Sequence, residues 1–273
     1  MKDISNKTIG TTLWTLTSKE IRRFMRIWVQ TLVPPAVTMT LYFVIFGSLI
    51  GPRIGEMDGF DYVQFMIPGL IMMSVITGSY ANVVSSFYSV KFQKSIEELL
   101  ISPMPNWVIL LGFILGGVTR GILVGIIVFI VSLFFYPEFQ IANIGLTITV
   151  LFLTSVLFAL MGFINAVFAD SFDDISVIPT FVLTPLIYLG GVFYSINILP
   201  DLWRSISMAN PMLYVVNTFR EGMLGISDVS ISFSLSMIVF FIFYFHPSHY
   251  IYCIKELVLE NENQSTWKKS KKT

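Results

Sequence analysis

Long apolar runs dominate the hydrophobic pattern of this chain. A helix of about 20 mostly apolar residues crosses hydrocarbon about 30 Å thick, and six runs reach or approach that length. Each run is predicted to be a helix, because unpaired backbone groups are too costly in lipid and the alternating segments of a membrane barrel are absent. The predicted spans are Ile27–Ile50, Tyr62–Ser86, Trp107–Phe134, Ile141–Phe168, Ile175–Ser195, and a run from Ile231 to a residue between Phe245 and Ile254.

The connections between these runs are short, so the pattern predicts an all-α polytopic membrane protein with six transmembrane helices and no soluble domain between them. Composition agrees: 55% of residues are apolar, 12% are charged and the mean hydropathy is +0.76, whereas soluble domains carry about 25% charge. A water-soluble enzyme, a disordered protein and a basic nucleic-acid binder are therefore excluded. The single cysteine, Cys253, excludes a disulfide framework and a multi-cysteine metal cluster.

Basic residues indicate the orientation, because cytoplasmic flanks of membrane spans carry an excess of Lys and Arg. Six precede the first span, two lie between spans two and three, and five follow the last span. Of the other four, three lie on the opposite side and Arg120 is inside a span. Both termini are predicted to be cytoplasmic, which agrees with an even number of spans. The chain then divides into an amphipathic N-terminal segment (1–26), a six-span transmembrane domain (27–254) and a polar cytoplasmic tail (255–273).

Residues 8–26 have the pattern of an amphipathic helix that lies on the membrane. Large apolar side chains fall on one half of the helical wheel, and Lys19, Arg22 and Arg26 fall on the other. Glu20 lies within the apolar half and weakens the pattern. Basic residues opposite Trp, Leu and Phe are typical of an interfacial helix. The alternative is a plain basic flank of the first span.

The segment between spans two and three predicts a short cytoplasmic helix. Ser95-Ile96-Glu97-Glu98 matches a capping box, with Ser at the cap and Glu three residues later. Pro103 and Pro105 end the helix. It is expected to expose acidic groups and the apolar stripe of Ile96, Leu99 and Leu100 to the cytoplasm. A partner protein that buries this stripe would explain it; the alternative is a helix that dips into the lipid headgroups.

Span three carries a charge and a series of glycines. Arg120 lies near its centre. Placing a charged Arg at the centre of the bilayer costs free energy, so such a side chain normally faces protein or water. Its partner is expected to be a backbone carbonyl, a hydroxyl or a bound anion; the alternative is an Arg that only orients packed helices. Small residues four apart permit close helix packing, within the bundle or across a dimer face. These residues are Gly112, Gly116, Gly117, Gly121 and Gly125.

Two further segments are candidate contact sites. A short acidic connection between spans four and five is either a second cytoplasmic docking point or a hydrated turn. Residues Ile196–Ser230, on the external side, are broken by Pro and Gly into pieces too short to span, so re-entrant or interfacial helices are predicted, with protein or a cavity covering them. This external segment is a candidate outer gate.

The acidic connection between spans four and five, the candidate second docking point, consists of Asp170, Phe172, Asp173 and Asp174.

The sequence lacks the motifs of several chemistries. It contains no Gly-x-x-x-x-Gly-Lys-Ser/Thr phosphate loop and no Gly-Lys pair, so it is not expected to bind ATP in that way. Metal binding by His246, His249 and Cys253 is disfavoured, because Pro247 interrupts the helical spacing and no carboxylate assists. We therefore expect a protein that is not itself an enzyme, with no cofactor and no metal.

Three groups of residues resemble the ABC transporter type-2 membrane permeases of bacteria, over most of residues 15–230. The first is Phe65–Leu70 (FMIPGL), at the start of span two, and the second is Glu97–Pro103 (EELLISP). The third and strongest set joins Gly190, Gly191, Phe193 and Tyr194 to Pro200, Asn210, Pro211 and Arg220. In this order, on six spans, these motifs look most like a small inner-membrane exporter permease of a Gram-negative bacterium.

The resemblance implies a function and partners. It implies an exporter of two permease copies and two copies of a separate ATP-binding subunit, which contacts the N-terminal helix and the helix after span two. It also implies that the segment after span five is an external re-entrant hairpin. The eight residues of the third set, from Gly190 to Arg220, are the candidate residues of the external gate. The polar end of the chain departs from the family pattern, in which a full-length sixth span is followed by a short basic tail. The implied coupling residues are Lys94, Ser95, Ile96, Glu97, Glu98, Leu99 and Leu100.

Two other classes of function compete with this reading. An ATP-independent secondary carrier or channel is expected to place ionisable residues near the midplane for ion coupling, and only Arg120 is there. A membrane enzyme needs clustered catalytic side chains at one interface, which the sequence does not present. The exported substrate is not readable; Tyr80, Asn82 and Tyr88 are candidate residues of its path.

Overall fold

The computed structural model describes residues 6–101 and 104–245. Within these ranges the chain is a bundle of helices with one two-stranded hairpin, in which β1 (Glu56–Met57) pairs antiparallel with β2 (Phe60–Asp61). A 3₁₀ turn covers Ile196–Ile198. The helices are α1 (Asn6–Arg26), α2 (Trp28–Ile54), α3 (Tyr62–Phe92), α4 (Ser95–Ile101), α5 (Asn106–Phe135), α6 (Ile144–Phe168), α7 (Asp174–Tyr188), α8 (Asp201–Met208), α9 (Pro211–Leu224) and α10 (Ile231–Tyr244).

Four of these helices are long and apolar enough to cross a membrane: α2, α3, α5 and α6. The shorter apolar helices α7 and α10 lie where spans five and six are predicted, but each has fewer than 18 residues, against the about 20 that a span needs. The expected all-α membrane protein is therefore confirmed, and four of the six spans have membrane length. The sequence beyond Phe245, with His246, His249, Cys253 and the tail 255–273, lies outside the described residues, as does Pro103.

Two predicted span boundaries are wrong. Span two continues as helix for six residues beyond Ser86, to Phe92. Span five ends at Tyr188 rather than at Ser195, because the chain turns at Gly190 and Gly191 and Gly191 has φ +74°. Glycine adopts that left-handed conformation without the steric cost that a Cβ imposes.

The centre of the bundle is α3. In its most apolar 18-residue stretch 83% of the residues are buried by the rest of the protein, against 17% for α2. Helices α5 and α6 both pack on α3 and contact each other, and the approach of α6 to α3 is close: a Cβ on Gly162 would lie 2.6 Å from the carbonyl oxygen of Tyr80. The centre is thus packed protein, and α2 and α7 lie at the periphery.

The glycines of span three serve packing inside the bundle, as the first of the two alternatives predicts. All five are buried. Gly112 and Gly116 contact Leu16 and Glu20 of α1, and the other three contact α3, with Ala159, Ser155 and Leu151 of α6 beside them. A dimer face along these glycines is therefore wrong for this chain, because helices of the same chain already cover them.

Both peripheral helices depart from regular α-helix next to prolines. Helix α2 is interrupted at Leu32, before Pro34 and Pro35, and forms π-turns over Phe43–Ile50. Helix α7 forms π-turns over Pro179–Leu183. Proline removes a backbone donor, and single π segments inside helices accommodate such interruptions and occur often at functional sites.

Candidate functional site

The candidate site has two parts, one at each end of the bundle. The first part, at the end that carries α4, begins where α3 passes into α4 through Gln93 and Lys94. Lys94 has φ +59°, and its carbonyl accepts a hydrogen bond from the N–H of Glu97 at 3.2 Å. Helix α4 starts at Ser95, so Lys94 rather than Ser95 precedes it. The predicted short helix is confirmed, and the predicted capping position of Ser95 is wrong by one residue.

Helix α4 presents a different face from the one predicted. Ile96 is 4% exposed and belongs to the hydrophobic core, and Leu99 packs against that core in a half-buried position. The expectation that Ile96 faces the cytoplasm is therefore wrong, because its side chain fastens α4 to the bundle. Glu98 is exposed, and Ile101 is 82% exposed. The side chain of Leu100 lies outside what the structure describes.

The acidic connection before α7 is held against the end of α3. Tyr88 Oη donates to the carbonyl of Asp170 at 2.8 Å. The ring of Phe172 lies 4.8 Å from that of Tyr88 and 5.0 Å from that of Phe92, in edge-on contacts. Lys91 Nζ donates to the carbonyls of Val167 and Ala169, both at 2.7 Å, and so satisfies the C-terminal end of α6.

The connection also fixes its own conformation. Asp174 Oδ2 accepts hydrogen bonds from the N–H groups of Asp170 (3.0 Å) and Ser171 (2.9 Å), and Ser171 Oγ accepts from the N–H of Asp174 at 3.1 Å. Asp174 precedes the predicted span, which begins at Ile175, and these hydrogen bonds lower the pKa of its carboxyl, the one from the Asp170 N–H first among them. Asp173 is exposed. The acidic connection is therefore an ordered turn. It packs on the end of α3 that continues through Lys94 into α4.

A buried polar cluster attaches α1 to the same end of the bundle. Glu20 is 2% exposed; it accepts from Ser86 Oγ at 2.5 Å and pairs with Arg23 Nε at 3.2 Å. Arg23 Nη2 donates to the carbonyl and to Oδ1 of Asn82, at 3.1 and 2.9 Å. Glu20, which the amphipathic pattern treats as a defect, is thus the buried contact of the helix. We name these four residues the α1 polar cluster.

Arg120 lies one turn further along α5 than Gly116. Its Nη2 donates to the carbonyl of Thr31 at 3.3 Å, at the start of α2. Of the alternative partners predicted for Arg120, the backbone carbonyl is therefore confirmed. Thr31 Oγ1 in turn donates to the carbonyl of Phe24 at 3.0 Å. The junction between α1 and α2 is therefore fixed to α5 through Thr31.

The residues predicted to line a substrate path do not line one within this chain. Tyr80 is 1% exposed, Asn82 is 0% and Tyr88 is 2%. Asn82 and Tyr88 bond the protein's own backbone and side chains. These three are core residues of α3, because α3 is surrounded by its neighbours on nearly all sides.

The second part of the site lies at the opposite end, where Arg220 of α9 is buried. Arg220 is 1% exposed. Its Nη2 donates to the carbonyl of Gly191, its Nη1 donates to Asn217 Oδ1 at 3.2 Å, and its guanidinium lies 4.0 Å from the centroid of the Phe65 ring. One side chain therefore joins α9, the turn after α7 and the first turns of α3.

The helices α8 and α9 form a short hairpin whose turn is also anchored. Asn210 Oδ1 accepts from the N–H of Met212 at 2.9 Å, and its Nδ2 donates to the carbonyl of Leu186 at 2.6 Å. Pro211 follows at the first position of α9, where its missing N–H is not needed. Pro200 is exposed at the start of α8. Two short helices are thus confirmed here, and α9 is almost entirely buried.

An aromatic cluster joins α2 to α7 beside this turn. The ring of Phe193 lies 5.5 Å from Tyr42, 5.1 Å from Phe46 and 5.7 Å from Tyr188. The hydroxyls of Tyr42 and Tyr188 are hydrogen-bonded. Of the predicted gate residues, the structure thus brings Gly190, Gly191, Phe193, Asn210 and Arg220 together, with Tyr194 half-buried beside them.

Sequence reasoning missed several residues of both parts. Asp228 accepts from Ser195 Oγ at 3.0 Å, from the Ile196 N–H at 3.2 Å and from Asn197 Nδ2 at 2.9 Å, and so holds the 3₁₀ turn. Asn217 and Lys91 were likewise not singled out. For Glu20 a signal was present, since an acid on an apolar helix face that packs in a bundle needs a buried partner.

The buried charged groups of the described residues bond helices to one another. Within residues 6–101 and 104–245, no group of three or more His, Cys, Asp or Glu side chains is arranged to hold a metal ion. The charged groups that are buried there are Glu20 and Arg220. The two parts of the site thus hold helices together at the two ends of a set of membrane-length helices.

Comparison with known proteins shows the class of this protein. The family model described as "ABC-2 type transporter" matches residues 11–224. The chain is 59% identical to the inner membrane transport permease YadH of Escherichia coli K12 over 229 residues, which cover 84% of this chain and 89% of that protein. It is 25% identical over 187 residues to nodulation protein J of Rhizobium meliloti, covering 68% of this chain and 71% of that protein.

The chain belongs to the ABC-2 type transporter family. It is a membrane subunit of a transporter, located in a bacterial inner membrane.

Proposed function

We propose that this chain is the permease of an ATP-driven exporter. Two copies form the path for an exported substrate through the bilayer, and two copies of a separate ATP-binding subunit drive it. The chain itself hydrolyses no ATP. Helix α4 and the acidic connection at residues 170–174 receive the ATP-binding subunit, and the α8–α9 hairpin with the Gly191 turn gates the opposite side.

The observation that carries this proposal is the connection of α4 to the centre of the bundle. Helix α3 is the most buried helix, it continues six residues past the predicted span, and Lys94 joins it to α4. Ile96 fixes α4 to the core, while Lys91, Tyr88 and Phe92 fix the acidic connection to α3. A force applied to α4 or to residues 170–174 therefore reaches α3 through packed side chains.

The exposed side of α4 is the place to test coupling. Ile101→Asp places a charge on a side chain that is 82% exposed, so folding of the permease should be unaffected. Unpaired charge buried in a complex costs several kcal/mol. We expect Ile101→Asp to abolish co-purification of the permease with its ATP-binding subunit and to abolish export, at normal membrane levels.

The matched control is Leu202→Asp, which places the same charge on an exposed apolar residue of α8, 69% exposed, at the other end of the bundle. It should retain the ATP-binding subunit. Co-purification of Ile101→Asp at the wild-type yield would show that α4 is not the docking element, and α1 would become the next candidate.

The proposed topology has six spans, with α7 and α10 as spans five and six, the α8–α9 hairpin as an external re-entrant segment and both termini in the cytoplasm. It is tested with single cysteines in a Cys253→Ser background. A cysteine at Arg204 should react with an impermeant maleimide in intact cells, and one at Lys94 only after the membrane is permeabilised. Labelling of both in intact cells would contradict this orientation.

Transport assays in cells with and without the ATP-binding subunit distinguish the proposed exporter from the competing function, an ATP-independent carrier. Transport in cells that lack the ATP-binding subunit would support a carrier. Loss of transport in those cells, with the permease at normal levels in the membrane, is the outcome that the proposed exporter requires.

A further inference from the structure

Helix α1 carries a groove that the function proposed above does not use. The groove has a volume of about 690 Å³ and is lined by residues of α1 and by Ile27, and of these residues Arg23 also bonds Asn82 of the bundle. Its polar lining is basic and its ends are apolar. We name it the α1 groove; its residues are Trp14, Thr15, Ser18, Lys19, Arg22, Arg23, Arg26 and Ile27.

The charge of the α1 groove is uniformly positive. Lys19, Arg22 and Arg26 are exposed and, in the part of the chain that the structure describes, have no ion pair or side-chain hydrogen bond. The acid nearest to them in sequence, Glu20, turns its carboxylate into the bundle, toward Ser86 and Arg23. The α1 polar cluster therefore removes the one negative charge that would neutralise the groove and leaves the three cations to bind an anion.

The position of the α1 groove along the bundle is that of a membrane surface. Helices α3 and α5 have 31 and 30 residues, about 10 more than a span requires. Helix α1 packs against Asn82 and Ser86 of α3 and against Gly112 and Gly116 of α5, six to ten residues from the ends of those helices that adjoin α4. The groove is thus at the level where hydrocarbon gives way to headgroups.

The apolar residues at the ends of the groove also indicate a position at the boundary between hydrocarbon and headgroups. Trp14 is 72% exposed and Ile27 is 42% exposed, and the first residues of α2, Trp28 and Val29, are 53% and 57% exposed. Trp is enriched at membrane–water interfaces, where its ring is apolar and its N–H is hydrated. A ligand of the groove therefore meets cations in its middle and lipid-facing apolar groups at its edge.

We propose that the α1 groove is a binding site for the headgroup of an anionic phospholipid, with the phosphate held by Arg22, Arg26 and Lys19. Guanidinium groups bind phosphate oxygens through paired N–H donors, and basic pockets beside membrane helices on the cytoplasmic side bind anionic headgroups. The acyl chains lie along the apolar start of α2. The site rests on the membrane placement of the proposed permease and does not depend on coupling to ATP.

The test uses the full-length permease, purified alone in a neutral detergent. Binding of short-chain phosphatidylglycerol and of short-chain phosphatidylcholine is measured by thermophoresis of the labelled protein. The wild type should prefer phosphatidylglycerol. The double variant Arg22→Gln/Arg26→Gln should lose about 30-fold in affinity for phosphatidylglycerol, since each basic residue near an anionic surface contributes a factor of about five. The preference should also weaken as salt is raised.

Two variants serve as controls. Arg53→Gln/Arg204→Gln removes the same charge from two exposed arginines outside the groove and should bind as the wild type does. Arg22→Lys/Arg26→Lys keeps the charge and should retain most of the affinity, which separates charge from packing should the Gln variant be unstable.

Three outcomes overturn the proposal. Equal binding of the two lipids shows that the groove does not read the headgroup charge. An equal loss in both Gln variants shows general attraction and no site. Unchanged lipid binding by Arg22→Gln/Arg26→Gln, together with loss of the ATP-binding subunit, assigns the groove to protein docking. Because lipid binding is measured on the permease alone, its failure leaves the exporter proposal intact.

Discussion

Arg220 is the side chain on which the α9 end of the bundle depends. It is fully buried and bonds the Gly191 turn to α9, over the ring of Phe65. Lysine does not replace it in this setting, because a single ammonium cannot reproduce the fork of donors that reaches Gly191 and Asn217 together. A buried arginine that holds a left-handed glycine turn fixes the path of the chain between α7 and α8.

We predict that Arg220→Leu destabilises the permease by about 3 kcal/mol, since hydrogen bonds from charged donors contribute about 1.5–3 kcal/mol each and the Gly191 carbonyl is left without its donor. Thermal unfolding in detergent measures this. Arg204→Leu, an exposed arginine of α8, should change stability by less than about 0.5 kcal/mol. Equal effects of the two changes would mean that the Gly191 turn is held by other contacts.

The pair Glu20 and Arg23 is unequally exposed, with 3% of the Glu20 side chain accessible and 33% of the Arg23 side chain. Removal of Arg23 leaves a buried carboxylate without its cation, whereas removal of both charges leaves none. We predict that Arg23→Gln is more destabilising than Glu20→Gln/Arg23→Gln, with a coupling energy of about 1–3 kcal/mol for contacting residues. A four-member unfolding cycle measures the coupling, and additive effects would contradict a direct pair.

At the scale of elements, the contact between α1 and α5 depends on a small residue. A Cβ on Gly116 would lie 2.6 Å from Cβ of Glu20, so the two helices cannot keep their present distance if Gly116 is replaced. The contact also positions the α1 polar cluster, because Asn82 adjoins the same glycine. The docking of an entire helix thus rests on the absence of one methyl group.

We predict that Gly116→Ala destabilises the permease by about 1–3 kcal/mol, the usual cost of overpacking a close contact. Gly10→Ala provides the opposite control within the chain: no atom lies within 4 Å of its added Cβ, and alanine in a helix is more stable than glycine by about 0.5–1 kcal/mol. Stabilisation by both changes would show that α1 does not pack on α5 as described.

At the scale of the whole molecule, the sequence contains no Gly-x-x-x-x-Gly-Lys-Ser/Thr phosphate loop, so the proposed exporter requires a separate subunit for ATP hydrolysis. We predict that the purified permease alone hydrolyses no ATP above the background of a mock preparation, and that hydrolysis appears in the complex with the ATP-binding subunit. Robust hydrolysis by the isolated chain, after contaminating ATPases are removed, would contradict the proposed division of labour.

The peripheral position of α2 and α7 predicts where two permeases meet. No residue of Asp174–Ile178 is buried, and Phe181 of α7 is 73% exposed. We predict that Phe181→Cys, in a Cys253→Ser background, forms disulfide-linked dimers of twice the 30.9 kDa chain mass in membranes under mild oxidation. Ile148→Cys on α6, 59% exposed, is the control that should remain monomeric; dimers of Ile148→Cys alone would place the interface on α6.

The sequence by itself determined the class of the protein and the places of its long helices. Length and apolar content are enough for this, because in lipid every backbone group must be bonded within its own segment. Span three was predicted as Trp107–Phe134 and is helical over Asn106–Phe135. The short helix after α3 followed from local signals as well, since turn and proline chemistry act over a few residues.

Only the tertiary structure decided which faces are covered. Hydropathy does not distinguish a side chain that faces lipid from one that faces another helix, because both surroundings are apolar. For that reason the pattern places Ile96 outside although it lies in the core, and it treats Glu20 as a defect although its carboxylate accepts a hydrogen bond from Ser86, 66 positions away. The anchoring of Gly191 by Arg220 likewise joins residues 29 positions apart, which no local pattern relates.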